Sequence, residues 1–251
     1  MKSIFKIILK YYLKYITKIV LFIHKPTIIA ISGSTNKNFV KEEIKRRLED
    51  KDFKVRGNPL NFNTEIGLPL AILYLPSGYN EYKKWLPALI KAPLTIFKKD
   101  FPKYLVLTMG TSDEGDMKYL LSIVRPQISV ITDITQRYLE GYSGMDNLVE
   151  EYKLLSQKTS DLLIINNDNK RIKELKSHTK AKIKSFGLSK DSDLIIKEIK
   201  RVENGQEIII KTGEENTLFK IKKFGKHHAY ALVAGLIIDK YFNIDEKKEK
   251  N

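Results

Sequence analysis

Between Thr27 and Phe186, short apolar runs alternate with longer charged segments, and this alternation constrains the fold more than any other feature. The runs at 27–32, 53–56, 104–109, 129–132, 162–165 and 181–186 are too short for helices and are bounded by turn residues. Helical patterns lie between them: 39–49, the apolar end of 57–73, 80–98 interrupted by Pro87 and Pro93, 116–124, 147–158 and 170–178. Strands alternating with helices predict an α/β domain with a doubly wound, mostly parallel sheet. After residue 193 the pattern changes. Residues 193–199, 206–212 and 217–223 read as consecutive strands, the last two divided by "TGEEN", and predict a small antiparallel extension at the sheet edge. A final helix is expected over 227–241. The predicted organisation is thus a helix at 1–25, a domain at 26–242 and a solvated charged tail at 243–251.

The charge is uneven. The 251 residues carry a formal net charge of +15 and no cysteine, which excludes disulfides and cysteine-based metal or redox chemistry. A surface of this sign seeks anions. No Asp or Glu precedes Glu42, whereas Lys2, Lys6, Lys10, Lys14 and Lys18 recur every fourth residue. On a helix these lysines stay on one side, beside Ile4, Phe5, Ile8, Leu9, Tyr12, Ile16, Ile19 and Val20. Residues 3–23 therefore read as a basic amphipathic helix. Lysine in every turn makes it a poor membrane span and a poor signal peptide. Two readings stand: a helix lying on anionic lipid, or one docked on its own domain or a partner. With no span or leader expected, the chain is placed in the cytoplasm, with the helix at the inner face of the membrane.

The stretch "IIAISGSTNKNFVKEE" (28–43) reads as a phosphate-binding loop with substitutions. A strand enters a turn at Gly33, Lys37 follows, and a helix begins. Backbone amides and a helix N-terminus supply anion affinity in such loops. Asn36 stands where the pattern has a second glycine, and Asn38 where it has a hydroxyl for Mg²⁺. Asn tolerates positive φ better than other non-glycine residues, so the turn is expected to survive. The candidate phosphate-binding residues are Gly33, Ser34, Thr35, Asn36, Lys37 and Asn38.

Six stretches in order resemble motifs of the Mur ligase family, in particular the central domain of its D-alanyl-D-alanine-adding type. These are "ISGSTNKNFVKE", "NFNTEIGLPLAIL", "LVLTMGTSDEGDMKYLLSIVRPQISVIT", "YLEGYSGMDNL", "IINNDN" and "FGKHHAYALVAG". The resemblance covers about residues 27–240. It implies a fold with a P-loop-like nucleotide site, ATP as cofactor, Mg²⁺, and amide-bond formation in peptidoglycan precursor synthesis. It also implies a substrate loop carrying Asn61, Asn63 and Thr64, and matching family positions at Asp168 and His227.

Other family positions depart from the pattern. The metal-binding glutamate is Thr108, a histidine is Tyr138, and the modified lysine falls at Tyr152, with Lys153 adjacent. A nucleotide-contacting asparagine is Ala231. Mg²⁺ prefers carboxylate oxygen, so the metal site reads as dismantled. Asp133, Asp113 and Glu114 are substitute acids, each with a competing reading as loop polarity or helix capping. Asp133→Ala is expected to change residual phosphate affinity little. His227 and His228 are adjacent, point about 100° apart on a helix, and lack an evident third metal ligand.

The resulting expectation is a catalytically impaired family member, acting as a membrane-surface or partner-binding module with weak phosphate or nucleotide binding. The expected partner is anionic membrane, through residues 3–23, or a complete Mur ligase or other envelope-synthesis protein. The alternative is a functional ATP-dependent ligase whose third domain comes from another chain. A nucleic-acid-binding role ranks last, because no groove-reading helix or stacking motif is present.

Overall fold

The computed structural model describes residues 3–79, 81–137 and 139–243. The expected tail, 244–251, lies outside the described residues, as does Tyr138. The chain begins with helix α1 (Ser3–His24) and enters strand β1 (Thr27–Ser32). Helix α2 (Lys37–Glu49), strand β2 (Val55–Gly57), helices α3 (Gly67–Leu73) and α4 (Tyr82–Lys91), a 3₁₀ turn (Pro93–Phe97) and strand β3 (Tyr104–Thr108) follow. Helix α5 (Asp116–Leu121), strand β4 (Ile128–Ile131), helix α6 (Met145–Lys158), strand β5 (Leu162–Asn166), helix α7 (Lys170–Glu174) and strand β6 (Lys182–Gly187) continue the alternation. Strands β7 (Leu194–Val202), β8 (Gly205–Thr212) and β9 (Glu215–Ile221) precede the last helix, α8 (Lys226–Tyr241).

All nine strands form one sheet, in the order β2-β3-β1-β4-β5-β6-β7-β8-β9. Pairing is parallel from β2 through β7 and antiparallel for β7–β8 and β8–β9. Both parts match the sequence expectation. The first strand of the antiparallel group, β7, is also the seventh of the parallel sheet: Phe186 and Gly187 pair with Leu194 and Ile195. The expected break within 80–98 is milder than the prolines suggested. Pro87 sits inside α4, and the helix ends before Pro93, which opens the 3₁₀ turn.

The sheet separates two cores. On one face, α2 and α8 bury Val40, Ile44 and Leu48 with Ala234, Leu236 and Ile238 against Ile29 and Ile31. On the other, Leu68, Ile72, Met117, Leu148 and Leu155 pack on Ile28, Ala30 and Leu105. A third cluster joins α1 to α3 and α4 through Leu9, Leu13, Val20, Leu70, Leu73 and Trp85. Helix α1 is therefore docked on its own domain.

One ion-pair cluster ties α2 to α8. The Arg47 guanidinium donates to Glu43 (2.6 Å) and to Asp239, and all three side chains are largely buried. Burial alone would push the Glu43 carboxyl up, but Arg47 and Arg46 outweigh it and hold it below its usual range. A depressed carboxylate pKa stabilises the fold above the unfolded-state value, and that contribution is lost on acidification, here below about pH 4. Removing one partner of such a pair leaves uncompensated buried charge. Arg47→Met is expected to lower unfolding free energy by about 3 kcal/mol in urea denaturation at neutral pH. It should lower it less when the measurement is repeated near pH 3.

Candidate functional site

In an open α/β sheet, ligands meet the crevice beyond the carboxyl ends of the strands, where the strand order reverses. Here that point is the end of β1, which is flanked by β3 and β4. The residues after β1 form the expected loop. Gly33 has φ 143, and a Cβ there would collide with Thr132 Oγ1. Asn36 takes a left-handed conformation (φ 63, ψ −1) immediately before α2. The turn survives the loss of the glycine because Asn adopts this region at modest cost.

The loop is bound tightly to the end of β4. Ser34 N donates to the Asp133 carbonyl (2.9 Å), and Thr132 Oγ1 donates to the Thr35 carbonyl (2.7 Å). Ser34 Oγ accepts from Thr135 N (2.9 Å). The Asp133 carboxylate accepts from Thr35 N (2.6 Å) and also from Thr35 Oγ1. The Asp133 side chain thus takes two donors that face the mouth of the loop. Lys37 folds back, its Nζ donating to the Gly33 carbonyl. Burial draws the Lys37 ammonium below the usual lysine range; Asp133 opposes this shift and Arg137 adds to it. Asn38 is exposed on the first turn of α2.

The positions expected to have lost metal ligands are filled by other structural bonds. Thr108 is buried, and its Oγ1 accepts from Asn58 Nδ2 (2.8 Å) while its N–H donates to Asn58 Oδ1 (2.8 Å). Lys41, also buried, donates to the Asn58 carbonyl (2.6 Å). Asn58 belongs to this region, although nothing in the local sequence marks it beyond its turn-rich surroundings. Tyr152 is buried. Burial raises its pKa, so it stays neutral. Lys153 does not take its place: α6 is continuous across this point, and Lys153 pairs with Glu150 (2.8 Å).

Neither substitute acid of the next loop joins the phosphate loop through its recorded bonds. Glu114 accepts from Ser143 N (2.9 Å), and Asp113 N donates to Asp116 Oδ2 (3.0 Å). The buried acid beside Tyr152, Glu151, accepts from the amides of Gly115 and Met117 and so anchors the start of α5. Among the described residues, no group of three or more His, Cys, Asp and Glu is placed to hold a metal ion. The neutral hydroxyls of Thr108, which is engaged by Asn58, and of Tyr152 do not fit Mg²⁺.

The remaining candidates have local roles. The Asn63 carbonyl accepts from Gly110 N (2.9 Å), the Thr64 carbonyl accepts from Leu68 N (2.9 Å), and Asn61 takes φ 65. These residues shape the loop that packs against the end of β3. Asp168 accepts from Leu188 N (2.9 Å), Ser189 N (2.9 Å) and Tyr230 Oη, tying the ends of β5 and β6 to α8. His227 and His228 both lie against Phe39, with ring centroids 4.2 and 4.8 Å away. They form an aromatic cluster at the starts of α2 and α8. Ala231 is buried in α8.

A model of the Mur ligase middle domain matches residues 31–238. The chain belongs to the Mur ligase middle-domain family. Over 218 residues it is 25% identical to the UDP-N-acetylmuramoyl-tripeptide--D-alanyl-D-alanine ligase of Bacillus subtilis, covering 86% of this chain and 42% of that protein. It is 28% identical over 141 residues to the ligase of the same name from Borreliella burgdorferi, covering 56% of this chain and 25% of that one. The chain thus spans less than half the length of these relatives. Among solved structures, the MurF ligase of Thermotoga maritima in complex with ADP superposes with a TM-score of 0.76 at 18% identity, over 93% of this chain and 49% of that one. MurF from Acinetobacter baumannii gives 0.73 at 16% identity, over 95% and 47%. These likenesses establish the fold of a Mur ligase middle domain.

The geometry changes the expectation for Asp133. A carboxylate that already holds Thr35 N and Thr35 Oγ1 competes with an incoming anion and repels it. Asp133→Asn keeps an acceptor but removes the charge. It is expected to raise affinity for inorganic phosphate about fivefold, the factor given by ~1 kcal/mol of relieved repulsion. Lys37→Ala should remove most of the binding. Isothermal titration of the two variants and the parent protein measures both effects.

Proposed function

We propose that this chain is a catalytically impaired member of the Mur ligase family that works by binding rather than by amide-bond formation. It retains weak, phosphate-directed binding at the loop after β1. The observation that carries this reading is the occupation of the metal-ligand positions by structural hydrogen bonds. Thr108 is locked to Asn58, and Tyr152 is a buried neutral phenol, so neither is disposed to bind Mg²⁺. A lost ligand costs metal affinity, and losing several from one site leaves nothing to fix the ion or neutralise a triphosphate. The retained parts are those that act through the backbone: Gly33, the left-handed Asn36 and the start of α2, with Lys37 behind them.

ATP titrated into the purified protein should bind weakly, with nearly the same affinity with and without Mg²⁺. No phosphate release above background is expected in a coupled assay. Robust Mg²⁺-dependent ATP turnover, abolished by Asp133→Ala, would overturn the proposal in favour of a rebuilt ligase site.

A further inference from the structure

Helix α1 has two apolar faces, and only one is used by the fold. Leu9, Leu13 and Val20 are buried against α3 and α4. Ile4, Ile8, Tyr11, Tyr15, Ile19 and Phe22 are exposed, Ile4 by 72% and Phe22 by 77%. Their spacing follows the ~3.6-residue helical repeat, so all six lie within ~80° of arc along nearly the whole helix. A second exposed apolar row lies beside this stripe. Leu86 and Ile90 on α4, with Leu94 and Phe97 on the following 3₁₀ turn, are each more than half exposed. Ile8 and Ile90 line one apolar groove of about 280 Å³ between the two elements. Tyr12 Oη donates to the Leu89 carbonyl (2.7 Å), His24 hydrogen-bonds the Thr95 carbonyl (3.2 Å), and the His24 ring stacks on Phe101. These contacts hold α1 alongside α4 and the 3₁₀ turn.

The charge on this surface is predominantly positive, although Lys6 pairs with Glu65 (2.9 Å) and Lys84 with Glu81 (2.6 Å). Residues 3–24 and 82–99 contain nine lysines and no Asp or Glu. Lys18, Lys83, Lys84, Lys91, Lys98 and Lys99 are exposed. Lys10 and Lys14 lie over the Tyr119 ring, 3.8 and 4.8 Å from its centroid. Burial, and then the neighbouring Lys18 and Lys10, hold the Lys14 ammonium below the usual lysine range, as expected where cations crowd together. A second copy of this chain would bring the same lysines to the contact and be repelled. No described helix is long and apolar enough to cross a membrane, so α1 is suited to lie on one rather than span it.

We propose that the outer stripe of α1 and the row formed by α4 and Leu94–Phe97 together constitute a preformed docking surface for an anionic lipid bilayer. The apolar rows enter the interface and the lysines meet the lipid headgroups. Because α1 is already packed on the domain, docking does not require the helix to fold at the membrane. The inference rests on the reading of this chain as a binding module, but it invokes no residue of the phosphate loop.

The test uses the full chain and sedimentation with two vesicle types, phosphatidylcholine alone and phosphatidylcholine with phosphatidylglycerol. Binding is expected only to the anionic vesicles, in the absence of nucleotide, and should weaken as salt is raised. The doubly substituted Phe22→Ser/Phe97→Ser and Lys18→Glu/Lys91→Glu proteins alter exposed side chains. Circular dichroism should show both to be folded, and each should bind at least tenfold less protein at the same lipid concentration. Failure of the parent protein to bind anionic vesicles would overturn the proposal and favour a protein partner for this face. Equal binding to neutral vesicles, or unchanged binding by both folded variants, would overturn it as well. ATP titration reads the phosphate loop independently, so loss of this inference leaves the non-catalytic reading separately testable.

Discussion

Parallel pairing of β1 with β3 on one side and β4 on the other is the constraint on which the site depends. It places the ends of β1 and β4 side by side, so Gly33 must pass directly against Thr132. Only a residue without a Cβ fits that approach, and the positive φ of Gly33 turns the chain toward α2. The loop's shape is then held by bonds to Thr132, Asp133 and Thr135, all from the end of β4. The conformation of the loop after β1 is thus maintained by the sheet.

The same dependence sets the bonding of the polar residues around the loop. A buried polar group is costly unless it finds a partner. Thr108 has two partner contacts with Asn58, and the Asn58 carbonyl in turn receives the buried Lys41 ammonium. Tyr152 fills its buried position with a ring, and burial keeps its hydroxyl neutral. Asp168 spends its carboxylate on two backbone amides and Tyr230. Thr108 and Asp168 thus act as parts of the scaffold.

Helix α1 shows a different division of labour. Its inner apolar positions close a third core with α3 and α4, while its outer positions leave a lysine-flanked apolar surface. Of the two readings the sequence left open, docking on the domain is seen, and the same helix also keeps an exposed apolar face that the domain does not cover among the described residues. This separation depends on α4 and the 3₁₀ turn, which run beside α1 and continue its exposed rows.

The order and type of the elements were legible from the alternation of apolar runs and helical patterns, because strand burial imposes composition at short range. The antiparallel end was legible too, since "TGEEN" marks a tight turn between strand-like segments. The turn after β1 was readable from Gly33, and the conformation of Asn36 from the backbone preference of Asn. Tertiary structure alone decided what the polar residues do. Asn58 and Thr108 meet across a separation of fifty positions, and Thr35 and Asp133 across ninety-eight. No local pattern encodes such encounters. The same holds for α1, whose lysine spacing announced an amphipathic helix but not a second apolar face, because burial of the first face depends on the arrival of α3 and α4.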